Sequence, residues 1–298
     1  TIPGLGTYSW VVVIASLVLT FCVAAVIIGG VKRIASVSQV VVPFMAIIYF
    51  IFALALVLFN IKEVPQAIVT IVQAAFNPKA VTGGVVGSML VAMQNGVARG
   101  IFSNEAGLGS APIAAAAAQT KEPVRQGLVS MTGTFIDTIV ICTLTGLSVV
   151  ITGAWQVEGL EGVQVTTYAF QNGLPFSNQF CAAVLMICLV FFAFTTILGW
   201  DYYGERCLEY LTGKDEKKIK IYRWLYILAV FIGPYMTVAA VWTIADIFNG
   251  LMALPNMIAL FALSGVVVKE TKRFFEVYAD QKMAKKKSSV NRNKASEN

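Results

Sequence analysis

The stretch QNGVARGIFSNEAGLGSAP, residues 94–112, decides how this chain folds. It lies inside an apolar segment, residues 85–118, that is too long for one straight membrane-spanning helix, since a span needs about 20 residues. Within residues 94–112, four glycines and a proline interrupt the segment, and in a helix interior these residue types cost about 1 and about 3 kcal/mol. Lipid tolerates such a break only where the freed backbone lines a cavity or packs against protein. The stretch therefore predicts a broken span that forms a binding site.

The same stretch places polar side chains, Arg99, Asn104 and Glu105, at the depth of the break. A charge at the centre of a span costs about 2.5–3.5 kcal/mol on insertion scales, so charged residues there usually serve a function. Half-helix ends also offer N–H groups to anions and carbonyl groups to cations. Alternatively, the glycines only allow close helix packing, but this does not account for the polar side chains. For Arg99 and Glu105, a structural ion pair remains an alternative to ligand contact.

The composition excludes most soluble classes of protein. Of the 298 residues, 57% are apolar and 13% are charged, whereas a soluble domain carries about 25% charged residues. Histidine is absent, which excludes histidine zinc sites, Ser-His-Asp triads and histidine proton relays. The five cysteines show no CxxC spacing and are interpreted as free thiols in apolar segments. We expect a membrane protein that is not an enzyme and uses no cofactor.

Apolar segments of about 20 residues predict seven transmembrane helices, because lipid-exposed backbone must pair within helices. Two shorter helical patterns, Val64–Phe76 and residues 164–171, lie in the connections. We predict a single transmembrane domain over residues 1–278, followed by a basic, disordered cytoplasmic tail over residues 279–298. The predicted spans are residues 10–28, 40–59, 85–118 (broken), 131–151, 180–200, 221–241 and 247–268.

Basic residues are distributed unevenly between alternate connections. On the segments predicted to lie outside, Lys62 and Lys79 are the only lysines or arginines, and Arg99 lies inside a span. All other basic residues fall on the inner segments and the tail, which the positive-inside rule places in the cytoplasm. The net charge of +6 is therefore assigned to the cytoplasmic face and not to a nucleic-acid site. We expect a multi-pass plasma-membrane protein, embedded in the lipid bilayer, with a cytoplasmic C terminus.

Span five provides a second group of candidate residues. The hydroxyl groups of Thr195 and Thr196 could give a sodium ion two hard oxygen ligands, or each could bond to its own helix four residues earlier. Trp200 shares a helix face with Thr196 at the i, i+4 spacing, although a tryptophan is also typical of the membrane interface. In span four, Asp137 accompanies a stripe of threonines, which favours helix–helix contacts over ligand binding.

Residues 96–112 resemble the signature of the alanine or glycine:cation symporter family, also called sodium:alanine symporters. Three further segments also resemble that family, residues 29–35, 42–45 and 135–143. The similarity extends over about residues 29–272. The family is similar in fold to the leucine transporter, which contains two inverted five-helix repeats. The resemblance implies that spans one to seven correspond to core helices four to ten, and that the chain is a C-terminal fragment.

The resemblance implies secondary active symport of a small neutral amino acid, alanine or glycine, coupled to Na⁺ by alternating access. Broken span three then corresponds to an unwound core helix, and span five to the helix whose hydroxyl groups help to form a sodium site. We place the break around residues 100–104. We expect Thr195 and Thr196 to bind the cation. The predicted substrate-binding residues are Gln94, Gly100, Phe102, Asn104, Thr196 and Trp200.

Other classes of function fit the sequence less well. A seven-helix receptor agrees with an external N terminus but not with a broken third span. An intramembrane aspartyl protease would need Asp137 and Asp201 as its pair, but the sequence places Asp201 near the cytoplasmic end of span five. A fragment that does not transport by itself is the remaining alternative.

Overall fold

The computed structural model describes residues 10–76 and 84–296, and all the regular secondary structure in these ranges is helical. A π-helical segment lies at Phe135–Cys142, and 3-10 turns lie at Ala154–Gln156 and Gly233–Tyr235. The α-helices are α1 (Trp10–Ile27), α2 (Val31–Phe59), α3 (Val64–Phe76), α4 (Gly84–Asn104), α5 (Ala111–Ala115), α6 (Pro123–Thr134), α7 (Thr143–Ile151), α8 (Val163–Gly173), α9 (Asn178–Thr212), α10 (Glu216–Ile232) and α11 (Val238–Ser296). Both short helices predicted in the connections are present, as α3 and α8.

Within the described ranges, five helical stretches are long and apolar enough to cross a membrane, and they correspond to predicted spans one, two, four, five and seven. Predicted spans three and six, at α4 and α10, do not meet this criterion, and α10 has only 17 residues. The chain is therefore a multi-pass helical protein, while the count of seven spans and the inverted repeats stay predictions. The five stretches are Trp10–Ile27, Lys32–Phe59, Pro123–Ile151, Asn178–Thr212 and Val238–Tyr278.

The structure divides predicted span six and extends predicted span seven. Helix α10 ends at Ile232, and the turn Gly233–Tyr235 separates it from α11, because Pro234 offers no N–H group to a helix and Gly233 is a poor helix former. Helix α11 continues to Ser296, through residues that were predicted as a disordered tail. Neither glycine nor proline follows Gly265, so no helix-breaking residue ends α11 earlier.

The described chain forms two compact units. Unit 1 comprises Thr1–Arg99 and Asp137–Ala245, and unit 2 comprises Gly100–Ile136 and Asp246–Asn298. In unit 1, α2, α8 and α9 pack around Leu56 and other buried apolar side chains.

Close packing between α8 and α2 in unit 1 depends on a glycine. A Cβ atom on Gly173 would lie 2.7 Å from the Cγ atom of Leu56, so only glycine permits this approach. The Asn60 side chain then donates a hydrogen bond of 2.7 Å to the Gly173 carbonyl. These contacts fix the helix on which the candidate threonines lie, because α9 packs against both α2 and α8.

Candidate functional site

The predicted break in span three is present, between α4 and α5. Glu105, Gly107 and Gly109 have φ angles of 51°, 76° and 82°, which lie in the left-handed region that ends a right-handed helix. The break occurs after Asn104, about one helical turn later than the predicted position around residues 100–104. A regular helix accommodates Gly100, whereas it cannot accommodate residues with positive φ angles.

Side chains within unit 2 hold the broken backbone in place. The Ser110 hydroxyl donates a hydrogen bond of 2.7 Å to Oε2 of Glu105, and Ser110 is buried. Across 149 residues of sequence, Nδ2 of Asn256 on α11 donates a hydrogen bond of 2.9 Å to the Gly107 carbonyl. A Cβ atom on Gly109 would lie only 3.1 Å from Oδ1 of Asn256. Asn256 therefore packs against both glycines of the break.

Asn256 is not among the predicted site residues, although the sequence contains a signal for it. An amide side chain within an apolar span, directly after Pro255, is a typical polar residue that joins helices in a membrane. Its partner lies too far away in the sequence for a local pattern to identify it.

Three of the predicted substrate-binding residues lie on the last turn of α4, in unit 2. Phe102 and Asn104 are half-buried, and Gly100 is exposed. The Asn104 side chain donates a hydrogen bond of 3.1 Å to the Gly100 carbonyl, one turn earlier in the same helix. The structure thus brings Gly100, Phe102 and Asn104 together beside the break. Gln94 lies earlier on α4 and is exposed.

The other predicted residues lie on α9, in unit 1. Thr195 is buried and Thr196 is exposed, so the two hydroxyl groups face different surroundings. The Thr195 hydroxyl donates to the carbonyl of Phe191 at 2.9 Å, which matches the alternative of bonding within the helix. Trp200 is half-buried and its ring meets that of Tyr203 edge-on, with centroids 5.8 Å apart. A pocket that combines these residues with those of α4 stays a prediction.

The structure gives Arg99 and the threonine stripe partners within unit 1. The Arg99 guanidinium lies 4.0 Å from the ring centroid of Trp242, a geometry that stabilises a cation by about 0.5–2 kcal/mol. Thr145, from the stripe in span four, lies 2.6 Å from the hydroxyl oxygen of Tyr49 on α2. Both contacts favour roles in joining helices.

Comparison with known proteins gives the same family as the sequence motif. The sequence model described as the sodium:alanine symporter family matches residues 5–291. A Haemophilus influenzae protein named as an uncharacterized transporter is 55% identical over 271 residues, which cover 91% of this chain and 59% of that protein. The sodium/alanine symporter AgcS of Methanococcus maripaludis is 49% identical over 267 residues, which cover 89% of this chain and 57% of that protein.

A more distant relative carries the name of a different substrate. A probable sodium/glutamine symporter of Bacillus subtilis, GlnT, is 38% identical over 258 residues, which cover 87% of this chain and 52% of that protein. The chain thus spans about half to three-fifths of the length of these relatives. The resemblance expected from the central motif is confirmed.

Proposed function

The chain belongs to the sodium:alanine symporter family, and from this premise we propose that the intact transporter carries a small neutral amino acid, alanine or glycine, together with Na⁺ by alternating access. Alanine is the substrate in the name of the archaeal relative, which shares more of this sequence than the relative named for glutamine. Such a symporter makes and breaks no covalent bond, so Na⁺ serves as the coupling ion and no cofactor takes part. It works across the plasma membrane with its C terminus in the cytoplasm.

The observation that carries this proposal is the break between α4 and α5. Its positive φ angles at Glu105, Gly107 and Gly109 interrupt the helical hydrogen-bond pattern in a segment of a membrane transporter. Interrupted membrane helices supply N–H groups for a substrate carboxylate and carbonyl groups for a cation.

For the substrate site, we assign the predicted residues of α4 and α9. The amide groups of Gln94 and Asn104 would bond to the charged ends of the amino acid, beside Gly100 and the freed backbone. Phe102 and Trp200 would enclose its side chain. Selectivity would then be steric, since one methylene group is worth about 1–3 kcal/mol in such a pocket. The Thr196 hydroxyl would contribute to both the substrate site and the cation site.

For the cation site, we assign the hydroxyl oxygens of Thr195 and Thr196. The hydrogen bond from Thr195 to Phe191 uses the hydroxyl proton, so this bond leaves oxygen lone pairs that can accept a cation. The exposed position of Thr196 on α9 allows contact with ligands brought by other parts of the transporter.

Uptake of labelled alanine into proteoliposomes tests the cation assignment. Thr196→Val keeps the shape of the side chain but removes one oxygen ligand, so the Na⁺ concentration for half-maximal uptake should rise several-fold. Thr195→Val should act in the same direction. Thr70→Val is a matched control, because Thr70 lies on α3 and its hydroxyl also bonds within its own helix, at 2.9 Å. If the Na⁺ dependence of uptake is unchanged in both span-five variants, the cation site does not lie on α9.

The same assay tests the substrate site through competition by longer amino acids. Trp200→Leu should weaken alanine uptake and allow longer aliphatic amino acids to compete, because the smaller side chain leaves space in the pocket. Trp155→Leu is the control, since Trp155 is 53% exposed on a connecting turn. If Trp200→Leu leaves the range of competing substrates untouched, Trp200 does not line the pocket.

A further inference from the structure

Helix α9 carries a buried carboxylate, Asp201, in unit 1. Asp201 is 0% exposed, and neither of its side-chain oxygens has a hydrogen-bond partner in the described part of the chain. An ionised carboxylate that leaves water costs several kcal/mol unless an opposite charge or hydrogen bonds replace the water. A buried carboxylate without hydrogen bonds therefore indicates that a positive charge binds at this position.

The nearest arginines are engaged by a different carboxylate. The Glu205 carboxylate, one helical turn after Asp201, accepts two hydrogen bonds from Arg223, from Nε at 2.7 Å and from Nη2 at 2.8 Å. Arg206 adds a third hydrogen bond of 3.0 Å to Glu205. These charge-assisted bonds saturate Glu205 and direct both guanidinium groups towards it instead of towards Asp201.

The ion pairs among the described residues leave one carboxylate of this cluster without a partner. Besides bonding to Glu205, Arg206 forms an ion pair of 2.6 Å with Glu209. Three carboxylates, on residues 201, 205 and 209, therefore share the charges of two arginines. Glu205 and Glu209 have ion-pair partners, so the uncompensated negative charge lies on Asp201.

Helix α10 and the α1–α2 turn surround this part of α9 with polar groups. The Tyr226 hydroxyl donates a hydrogen bond of 2.7 Å to the Ile197 carbonyl, which lies one turn before Asp201. The Tyr222 hydroxyl occupies the space that a side chain at Gly204 would need, and Arg223 lies close to Gly30 of the turn. The Tyr226 hydroxyl and the Ile197 carbonyl thus lie about one helical turn from Asp201, and neutral oxygens are suitable additional ligands for a small cation.

We propose that Asp201 is a cation-binding carboxylate at which a proton or Na⁺ supplies the missing positive charge. This position is separate from the hydroxyl pair assigned above. Six residues separate Asp201 from Thr195, which is about 9 Å along the helix axis at 1.5 Å per residue. A buried carboxylate at this place provides a second cation position on the same helix, and intramembrane carboxylates commonly mark ion pathways.

Infrared difference spectroscopy on the purified intact transporter tests this proposal and separates the two cations. In the first arm, Na⁺ replaces choline at constant pH, and a bound Na⁺ should shift the carboxylate stretching bands. In the second arm, the pH is lowered without Na⁺, and protonation should produce a carboxylic acid C=O band. The proposal requires a band in at least one arm that is lost in Asp201→Asn. Bands that persist unchanged in Asp201→Asn in both arms would overturn it.

Two controls make the result specific to Asp201. Glu276→Gln removes an exposed carboxylate of α11 and should leave the band in place. Thr196→Val should also retain it, so a failure of the proposed hydroxyl site is distinguishable from a failure at Asp201. Labelling the wild-type protein with ¹³C-carboxyl aspartate tests the proposal even if Asp201→Asn does not fold. A band whose frequency does not shift on labelling cannot come from Asp201.

Discussion

Gly109→Ala should destabilise the protein more than Gly107→Ala, although the two glycines lie two residues apart in the same break. Their φ angles are 82° and 76°, and a left-handed conformation costs an ordinary L-residue roughly 1–2 kcal/mol. Both substitutions carry this cost. At Gly107 this conformational cost is the only one expected, because a Cβ atom there would meet no described residue within 4 Å.

At Gly109 the new Cβ atom would also displace a neighbour. It would lie 3.1–3.2 Å from three atoms of the Asn256 side chain, so this side chain must move by a few tenths of an ångström. The same side chain donates the 2.9 Å hydrogen bond to the Gly107 carbonyl, and a hydrogen bond contributes about 0.5–1.5 kcal/mol net. We therefore expect Gly109→Ala to cost about 1 kcal/mol more than Gly107→Ala.

Thermal unfolding of the purified protein in detergent, followed by tryptophan fluorescence, can resolve this difference. One kcal/mol shifts the midpoint by about 2–4 °C in a domain of 150–250 residues. In an Asn256→Ala background the extra cost of Gly109→Ala should disappear, because the displaced side chain is absent. Equal midpoints for the two alanine variants, or an extra cost that persists without the Asn256 side chain, would refute the argument.

Two other predictions concern packing and topology. Gly173→Ala should cost about 1–3 kcal/mol by overpacking against Leu56. Gly146→Ala on α7 should be close to neutral, because a Cβ atom there would meet no described residue within 4 Å. Similar unfolding midpoints for both variants would contradict the close approach of α8 to α2. For topology, a cysteine introduced at Glu158 should react with an impermeant reagent outside intact cells and one at Lys217 should not, because basic residues favour the cytoplasmic side. The reverse labelling pattern would overturn the orientation.

Much of the fold could be predicted from local sequence. Predicted spans one, two, four, five and seven coincide with helices that are long and apolar enough to cross a membrane, because an apolar run of that length has few alternatives in lipid. The family is also confirmed. Where the prediction differed from the structure, local chemistry decided the outcome: Gly233 and Pro234 divided span six, and the absence of later helix breakers extended α11.

The break illustrates what could not be placed from the sequence. Glycines at positions 100 and 107 look equivalent in the sequence, yet one continues a regular helix and the other has a positive φ angle. Glycine is compatible with both conformations, so its position in the sequence does not decide between them. The contact with Asn256 joins residues 149 positions apart, and no local pattern contains that information.

The sequence by itself determined the helical membrane class, the family and the existence of an interrupted span, because all of these depend on composition and short-range patterns. Only the tertiary structure decided where the interruption falls and which charges find partners. Asp201 and Glu205 are both acidic residues on one helix, and the sequence does not distinguish them. Packing of α10 brings Arg223 to Glu205 and leaves the Asp201 carboxylate buried without a hydrogen bond to the described residues, since the geometry between helices decides which carboxylate a guanidinium group can reach.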